Sequence, residues 1–193
     1  MLNLASVDGQ CFQSGNAPGV SKVFAVLARQ IVGSWPSKAT IDEAECEVTE
    51  LPSLVQGASW VEYAVPHTTA KFDASWAGDP GYETCTHNLD WALASLEKPI
   101  LKEIRKHLNA GSVFIIKDKS DNYFVVGSSD DPVFQKTKQG TTGAKGNDKK
   151  GFTLKGVADG MNWDYISLSE DALADLVIQA LPAPSSVPAT PTA

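Results

Sequence analysis

The chain has 193 residues and a net charge of −7, from 16 basic and 23 acidic side chains. This length is sufficient for one domain that buries a core without metal or disulfide cross-links. The acidic balance argues against a protein that grips duplex DNA along its phosphates, although DNA as passing cargo is compatible with it. The cysteines Cys11, Cys46 and Cys85 are odd in number and widely spaced, which predicts small buried side chains in a reducing compartment.

The N-terminal residues carry no sign of a targeting segment. They contain no basic region followed by a long apolar run, so we expect no secretory signal. No segment approaches the roughly 18 to 20 apolar residues of a membrane span, and we expect no membrane partner. Residues 1–20 are rich in glycine and poor in large apolar side chains, which predicts an extended N-terminal arm.

Two early segments differ in how clearly their pattern assigns them. Residues 20–32 fit a strand through their β-branched content and a helix through their apolar spacing, so both assignments stay open. Residues 41–49 alternate between apolar and acidic side chains, which predicts a half-buried strand. Its wet, negative face is formed by Glu43, Glu45 and Glu47.

Further alternation predicts two strands at 68–76 and 82–91, separated by a Gly-Asp-Pro-Gly turn. A helix follows over residues 97–108, because apolar residues recur at intervals of three and four with charged residues between them. Pro99 fits only in the first turn of this helix. The apolar stripe that should pack on the sheet is formed by Leu96, Ile100, Ile104 and Leu108.

The late half of the chain predicts a hairpin and a returning strand. Residues 112–118 and 123–127 are β-branched and aromatic and are separated by a polar turn, and residues 151–156 supply the third strand. The intervening loop lacks the Gly-Lys-Ser/Thr ending of a phosphate loop. We expect it to be either a solvated connector or a contact to an acidic neighbouring subunit. Its lysines are Lys136, Lys138, Lys145, Lys149 and Lys150.

The C-terminal region predicts a weaker helix and a tail. Residues 169–181 fit a helix opened by a capping box at Ser167 and Glu170. Residues 182–193 consist mostly of proline, alanine, serine and threonine, which predicts disorder because little apolar surface offsets the entropy of folding. The expected organisation is an arm at 1–20, a single β-sandwich domain at 20–181 and a tail at 182–193.

Candidate chemical sites are few. Asp118, Ser120 and Asn122 have the spacing that opens a calcium loop, but the later glycine and glutamate of such a loop are missing, which favours a polar turn. Cys85 and His87 share a strand face with apolar neighbours, so core positions are favoured over metal ligands. The chain contains no hydrolase motif, and we predict no catalytic residue, no enzymatic activity, no metal and no cofactor.

The order of elements in the late half resembles that of the major tail, or tail tube, proteins of tailed phages. Such sequences carry a helix-forming run, a strand, a turn with Asp and Asn, a second strand, a Thr-Gly motif and then Asp-x-x-Gly-Phe-Thr-Leu. The corresponding segments here are 96–105, 113–118, 123–127, Thr142-Gly143 and 148–154, and residues 19–24 resemble the first strand of the family. The chain departs from the pattern in its 120–122 turn, where Asn-Gly is usual, and in its proline-rich tail.

The resemblance implies a mainly β (α+β) fold of two packed antiparallel sheets with one flanking helix. It also implies a virion structural protein, made in the host cytoplasm, whose hexameric rings stack into a tube for DNA passage. The partners would be further copies of the chain, other virion proteins, and DNA only as cargo. The glutamate face would then line the lumen, and the lysine loop would reach a neighbouring subunit.

Three alternatives stay open. An enzyme would need a convergent cluster of polar side chains, and no spacing in the sequence singles out such a cluster. The additional proline-rich tail is compatible with a neck or tail-terminator protein. A carbohydrate-binding β-sandwich would use exposed aromatic side chains, although we favour core or interface positions for the tryptophans. The candidates are Trp35, Trp60, Trp76, Trp91 and Trp163.

Overall fold

The computed structural model describes residues 18–179, and the predicted arm and tail lie largely outside that range. The described residues form two sheets and two short helices. The strands are β1 Val20–Leu27, β2 Ile41–Asp42, β3 Glu47–Val48, β4 Trp60–Tyr63, β5 Lys71–Ala77, β6 Thr84–Leu93, β7 Ser112–Asp118, β8 Tyr123–Val126, β9 Phe134–Thr141, β10 Gly151–Met161, β11 Ser167–Leu168 and β12 Ile178–Gln179. The helices are α1 Lys98–Lys106 and α2 Glu170–Ala174.

The larger sheet has eight strands in the order β12-β4-β1-β7-β8-β11-β3-β2. Its centre is antiparallel, and the two-residue strands β12 and β11 add parallel pairs with β4 and β3. Consecutive residues of β1 and β7 are buried, because this sheet is covered on both faces. That burial resolves the ambiguous segment at 20–32: it is a strand to Leu27, followed by a single 3-10 turn at Ala28–Gln30.

The smaller sheet has four antiparallel strands in the order β5-β6-β10-β9. Strand β6 confirms the predicted alternation, since Cys85, His87, Leu89 and Trp91 are all buried and the residues between them are partly exposed. Strand β10 comes close to β6 at Gly151, where an added Cβ would lie 2.1 Å from the carbonyl oxygen of Leu93. Only glycine fits at that position.

Two apolar cores lie on the two faces of the eight-stranded sheet. The first fills the space between the sheets and includes Leu89, Trp91, Phe114 and Leu154. The second lies on the opposite face, where Ile115 and its neighbours pack against the 31–60 segment and α2. The mainly β fold with two packed sheets and one substantial flanking helix is therefore as predicted.

Helix α1 confirms two of the four residues of the predicted stripe, and Leu96 precedes the helix and is partly buried. Ile104 is buried in the core between the sheets and Ile100 packs against that core. Leu108 was placed wrongly: it is 64% exposed, because the helix ends at Lys106 and the chain turns at Asn109 with φ of 53°.

Three other sequence predictions need correction. Of the helix predicted at 169–181, the described residues 169–179 form the five-residue helix α2 followed by strand β12. The N-cap of α2 is Ser169, whose side chain accepts from Ala172 N at 3.2 Å. Residues 151–156 belong to the four-stranded sheet and do not return to the β7–β8 hairpin. Cys46 is exposed, whereas Cys85 is buried as expected, and Cys11 lies outside the described residues.

Candidate assembly surfaces

The long edges of the four-stranded sheet are its most distinctive surface. Strand β5 has seven residues and β9 has eight, and within residues 18–179 no strand pairs with the outer side of either. The eight-stranded sheet differs at its β2 end, because this edge strand has only two residues. Long open edges present rows of backbone donors and acceptors that another chain can pair with.

The outer face of the four-stranded sheet is polar and rich in hydroxyl groups. Registered pairs place Lys71, Asp90 and Lys155 in one row across three strands. The charges neutralise one another: Lys155 Nζ lies 3.6 Å from Asp90 Oδ2, and Lys71 Nζ lies 2.6 Å from Asp73 Oδ2. The carboxylate of Asp159 accepts from Thr86 Oγ1 at 2.8 Å. Neighbouring rows contribute Thr84, Thr137, Thr141 and Thr153.

The predicted lysine loop is shorter than expected, because Lys136 and Lys138 belong to strand β9. Lys138 is not available to a neighbour: its Nζ donates to the carbonyl oxygen of His107 at 2.7 Å, at the end of α1. Lys145, Lys149 and Lys150 are exposed in the connection between β9 and β10. That connection, residues 142–150, is hereafter the hairpin tip.

The hairpin tip has a defined internal turn. Asp148 Oδ2 accepts from the backbone N–H groups of Ala144 and Lys145, each at 2.8 Å. These two bonds hold the pKa of Asp148 below its usual value, because they stabilise the carboxylate. The carboxylate is thus engaged with the backbone, and the lysine ammonium groups extend from a fixed turn.

The predicted negative strand face is wrong. Residues 41–49 form a small hairpin of β2 and β3, in which Glu43 and Glu45 lie in the turn and Glu47 lies in β3. Asp42 Oδ1 accepts from Ala44 N at 2.9 Å, and Cys46 has φ of 55°, so the backbone reverses instead of extending. Alternation of acidic and small residues is compatible with such a turn, and here the turn replaces the strand.

A cleft of about 730 Å³ lies beside this turn. Its walls come from four separate parts of the chain: the 34–46 segment, the end of β5, the loop before β9, and the segment that follows β10. Four carboxylates and two half-exposed aromatic rings line it: Glu43, Asp130, Asp131, Asp164, Trp76 and Tyr165. Sequence reasoning identified Glu43 and Trp76 for other roles and missed the three aspartates, because the cleft exists only after folding.

The carboxylate of Asp164 is fixed at the wall of this cleft. It accepts from its neighbour Tyr165 N at 2.7 Å and from Trp76 Nε1 at 3.3 Å. The Tyr165 backbone bond is the larger cause that lowers the pKa of Asp164. Asp164 therefore stays charged at neutral pH and holds the Trp76 indole in place.

The remaining tryptophans divide between core and cleft. Trp35, Trp60 and Trp91 are no more than 2% exposed, which matches the preference for core positions. Trp76 is 46% exposed and lines the cleft with the partly buried Trp163.

A chain of hydrogen bonds joins α1 to the eight-stranded sheet. His107 Nε2 lies 2.8 Å from the Tyr63 hydroxyl, and His107 Nδ1 lies 2.9 Å from Ser112 Oγ. The Tyr63 hydroxyl donates to Glu103 Oε1 at 3.2 Å, because an ionised carboxylate only accepts. The Tyr63 oxygen therefore accepts from Nε2–H, and Nδ1 accepts from Ser112.

Burial is the main influence on this network. It lowers the pKa of His107 from 6.5 to about 4 and raises the pKa of Tyr63. Ser112 is 1% exposed and His107 is 4% exposed, so this Ser–His pair is buried. The network is structural, and it fixes α1 against strands β4 and β7.

The other candidate sites have simple structural roles. His87 accepts from Gly127 N at 3.2 Å through Nδ1 and donates to the carbonyl oxygen of Trp163 at 3.0 Å through Nε2, so both ring nitrogens are occupied in the core. The Asp118 segment is a polar turn, in which Asp118 Oδ1 accepts from Ser120 N and Asn122 N.

Among residues 18–179, no helix is long and apolar enough to cross a bilayer, and no three His, Cys, Asp or Glu side chains lie together as metal ligands would. Comparison of the chain with protein-family models, with curated proteins and with solved structures found no match. The function is therefore inferred from the molecule itself.

Proposed function

We propose that this chain is a virion structural protein whose copies join through the open edges of the four-stranded sheet into homo-oligomeric rings, which stack into a tube for DNA passage. The observation that carries the proposal is the contrast between edges: β5 and β9 are long and open in the described chain, whereas β2, at one end of the eight-stranded sheet, is a two-residue strand. When two edge strands pair, their backbone N–H and C=O groups form hydrogen bonds, and the edges are no longer open to pairing with other proteins.

The strand directions favour closure by rotation. The four strands β5-β6-β10-β9 are all antiparallel to their neighbours, so β9 runs opposite to β5. A copy related by rotation about a ring axis therefore brings its β5 antiparallel to β9 of the first copy. Repeating that step closes a continuous antiparallel wall with no free edge, as a heterologous ring requires.

The polar outer face suits the lumen of such a ring. DNA that passes must not adhere to the wall, and binding to phosphates comes from unpaired lysine and arginine side chains. On this face the lysines Lys71 and Lys155 are both paired with aspartates. The face therefore offers hydroxyl groups and neutralised charges, and it replaces the glutamate face that the sequence suggested as the lining.

The order of motifs in the late half of the chain is the second observation that supports the proposal. The segments that resemble tail tube proteins form α1, β7, β8 and the start of β10. The same resemblance gives the hexameric ring, other virion proteins as partners and a location in the virion. A neck or terminator protein would share the ring and differ in its position in the virion.

Sedimentation velocity and electron microscopy of the purified protein test the proposal. We expect closed rings or stacked tubes at high protein concentration, with ring mass measured by native mass spectrometry. A protein that stays monomeric at every concentration and salt level would contradict it.

A further inference from the structure

The β9–β10 hairpin carries opposite charges at its two ends. The hairpin tip connects Thr141 of β9 to Gly151 of β10, and these two residues are paired across the strands. The acidic cleft lies at the other end, where Gly160 and Met161 close strand β10. The rise of about 3.3 Å per residue separates Gly151 from Gly160 by roughly 30 Å. One subunit therefore cannot place its own tip in its own cleft.

Charge distinguishes these two ends. The cleft is lined by four carboxylates and one ammonium group, Lys38. No ion pair involving these cleft carboxylates occurs among the described residues. The hairpin tip carries three exposed lysines, Lys145, Lys149 and Lys150, and one carboxylate that is bonded to its own backbone. The tip and the cleft are thus complementary in charge as well as opposite in position.

We infer that the cleft is the docking site for the hairpin tip of a second copy of this chain, which makes it the contact between stacked rings. The inference rests on the proposed function and names the partner of its stacking surface. A contact between opposite ends of a subunit is head-to-tail and does not close, so it repeats along an axis. That geometry makes a tube from rings.

Aromatic walls add to the attraction for lysine. Trp76 and Tyr165 are each 46% exposed at the cleft, and an ammonium group over an aromatic face gains cation–π attraction. Asp130 and Asp131 then accept from the same ammonium groups. Contacts of this kind at a rim weaken as salt is raised, because the Debye length falls from about 10 Å at 0.1 M to about 3 Å at 1 M.

Reversal of charge at each end gives the first test. One variant carries Lys145→Glu, Lys149→Glu and Lys150→Glu, and the other carries Asp130→Lys and Asp131→Lys. Each variant alone should form rings but require roughly tenfold or more protein to stack, since like charges then meet. Equal mixtures should stack as wild type does, because the acidic tip of one variant faces the basic cleft of the other. Thermal melts of both variants check that the subunits are folded.

An exposed cysteine on the cleft wall gives a second test. Cys46 lines the cleft and is exposed. In a Cys11→Ser background, mild oxidation of assembled Lys149→Cys protein should join subunits through Cys46, and Cys46→Ser should abolish the product. The matched control is Lys136→Cys, an exposed position on β9 away from the tip, which should give no such product.

The outcomes separate this inference from the function on which it rests. Wild-type protein that forms no rings removes both. If the charge-reversal variants form rings and stacks as readily as wild type, and no cross-link to Cys46 forms, the contact between tip and cleft is refuted. The ring proposal would then remain. Saturable quenching of tryptophan fluorescence by cellobiose, lost in Trp76→Ala, together with such indifferent stacking would assign the cleft to a saccharide instead.

Discussion

The two sheets of this molecule differ most in how their edges end. The eight-stranded sheet is buried on both faces, and its edge strand β2 has two residues, so that edge offers little for another chain to pair with. The four-stranded sheet buries one face, exposes a polar face, and has long edge strands that are open in the described chain. Natural proteins usually shorten or cover exposed edges. From this difference we propose that the eight-stranded sheet supports the fold and the four-stranded sheet supports assembly.

This division requires that the two sheets share one core, and a substitution in α1 should disrupt that core most strongly. Ile104 is 7% exposed between the sheets, so Ile104→Asp should cost about 3 kcal/mol or more by burying a charge. Leu108→Asp is the matched control, because Leu108 is 64% exposed. It should change stability by less than about 0.5 kcal/mol. Chemical denaturation of the two variants checks this, and equal stabilities would place the helix elsewhere.

The pH dependence of stability should report on buried His107, which joins α1 to the eight-stranded sheet. The unfolded chain binds a proton at His107 with a pKa near 6.5, and the folded chain does so only near 4. The folded state therefore loses stability as the pH falls from 6.5 towards 4, by an amount on the order of 3 kcal/mol, and this loss is absent above 6.5. His107→Gln should be less stable at pH 7 yet show a flatter decline below 6.5. If the free energies of unfolding of variant and wild type, measured by denaturation at each pH, fell in parallel across that range, His107 would not be the source of the pH dependence.

Lys138 ties the open edge strand β9 to α1, and its removal should have the smallest effect. Lys138→Met removes the hydrogen bond to the His107 carbonyl oxygen at the helix C-terminus and should cost about 1 kcal/mol. Lys136→Met removes an exposed lysine from the same strand and serves as the control. A melt that shifts equally for both variants would show that Lys138 has no special contact.

The sequence pattern predicted an element correctly where the burial of its side chains follows from the geometry of that element alone. The alternation of β6, the Ile104 position and the β7–β8 hairpin were all recognisable, because each buries a repeating set of side chains. The acidic alternation at 41–49 failed because Asp42 and the positive φ of Cys46 make a turn there. The cleft was beyond sequence reasoning, since Asp130, Asp164 and Trp76 meet only through packing of distant segments.

Hydrogen exchange tests the assembly claim most directly. Amide exchange should be compared between dilute monomer and assembled protein for peptides that cover β5, β9 and β2. We expect exchange at Lys71–Ala77 and Phe134–Thr141 to slow by roughly tenfold or more on assembly, because their outer N–H groups gain partners, while exchange at Ile41–Asp42 changes little. Unchanged exchange in β5 and β9 in protein that has assembled would contradict edge pairing and place the contact on another surface.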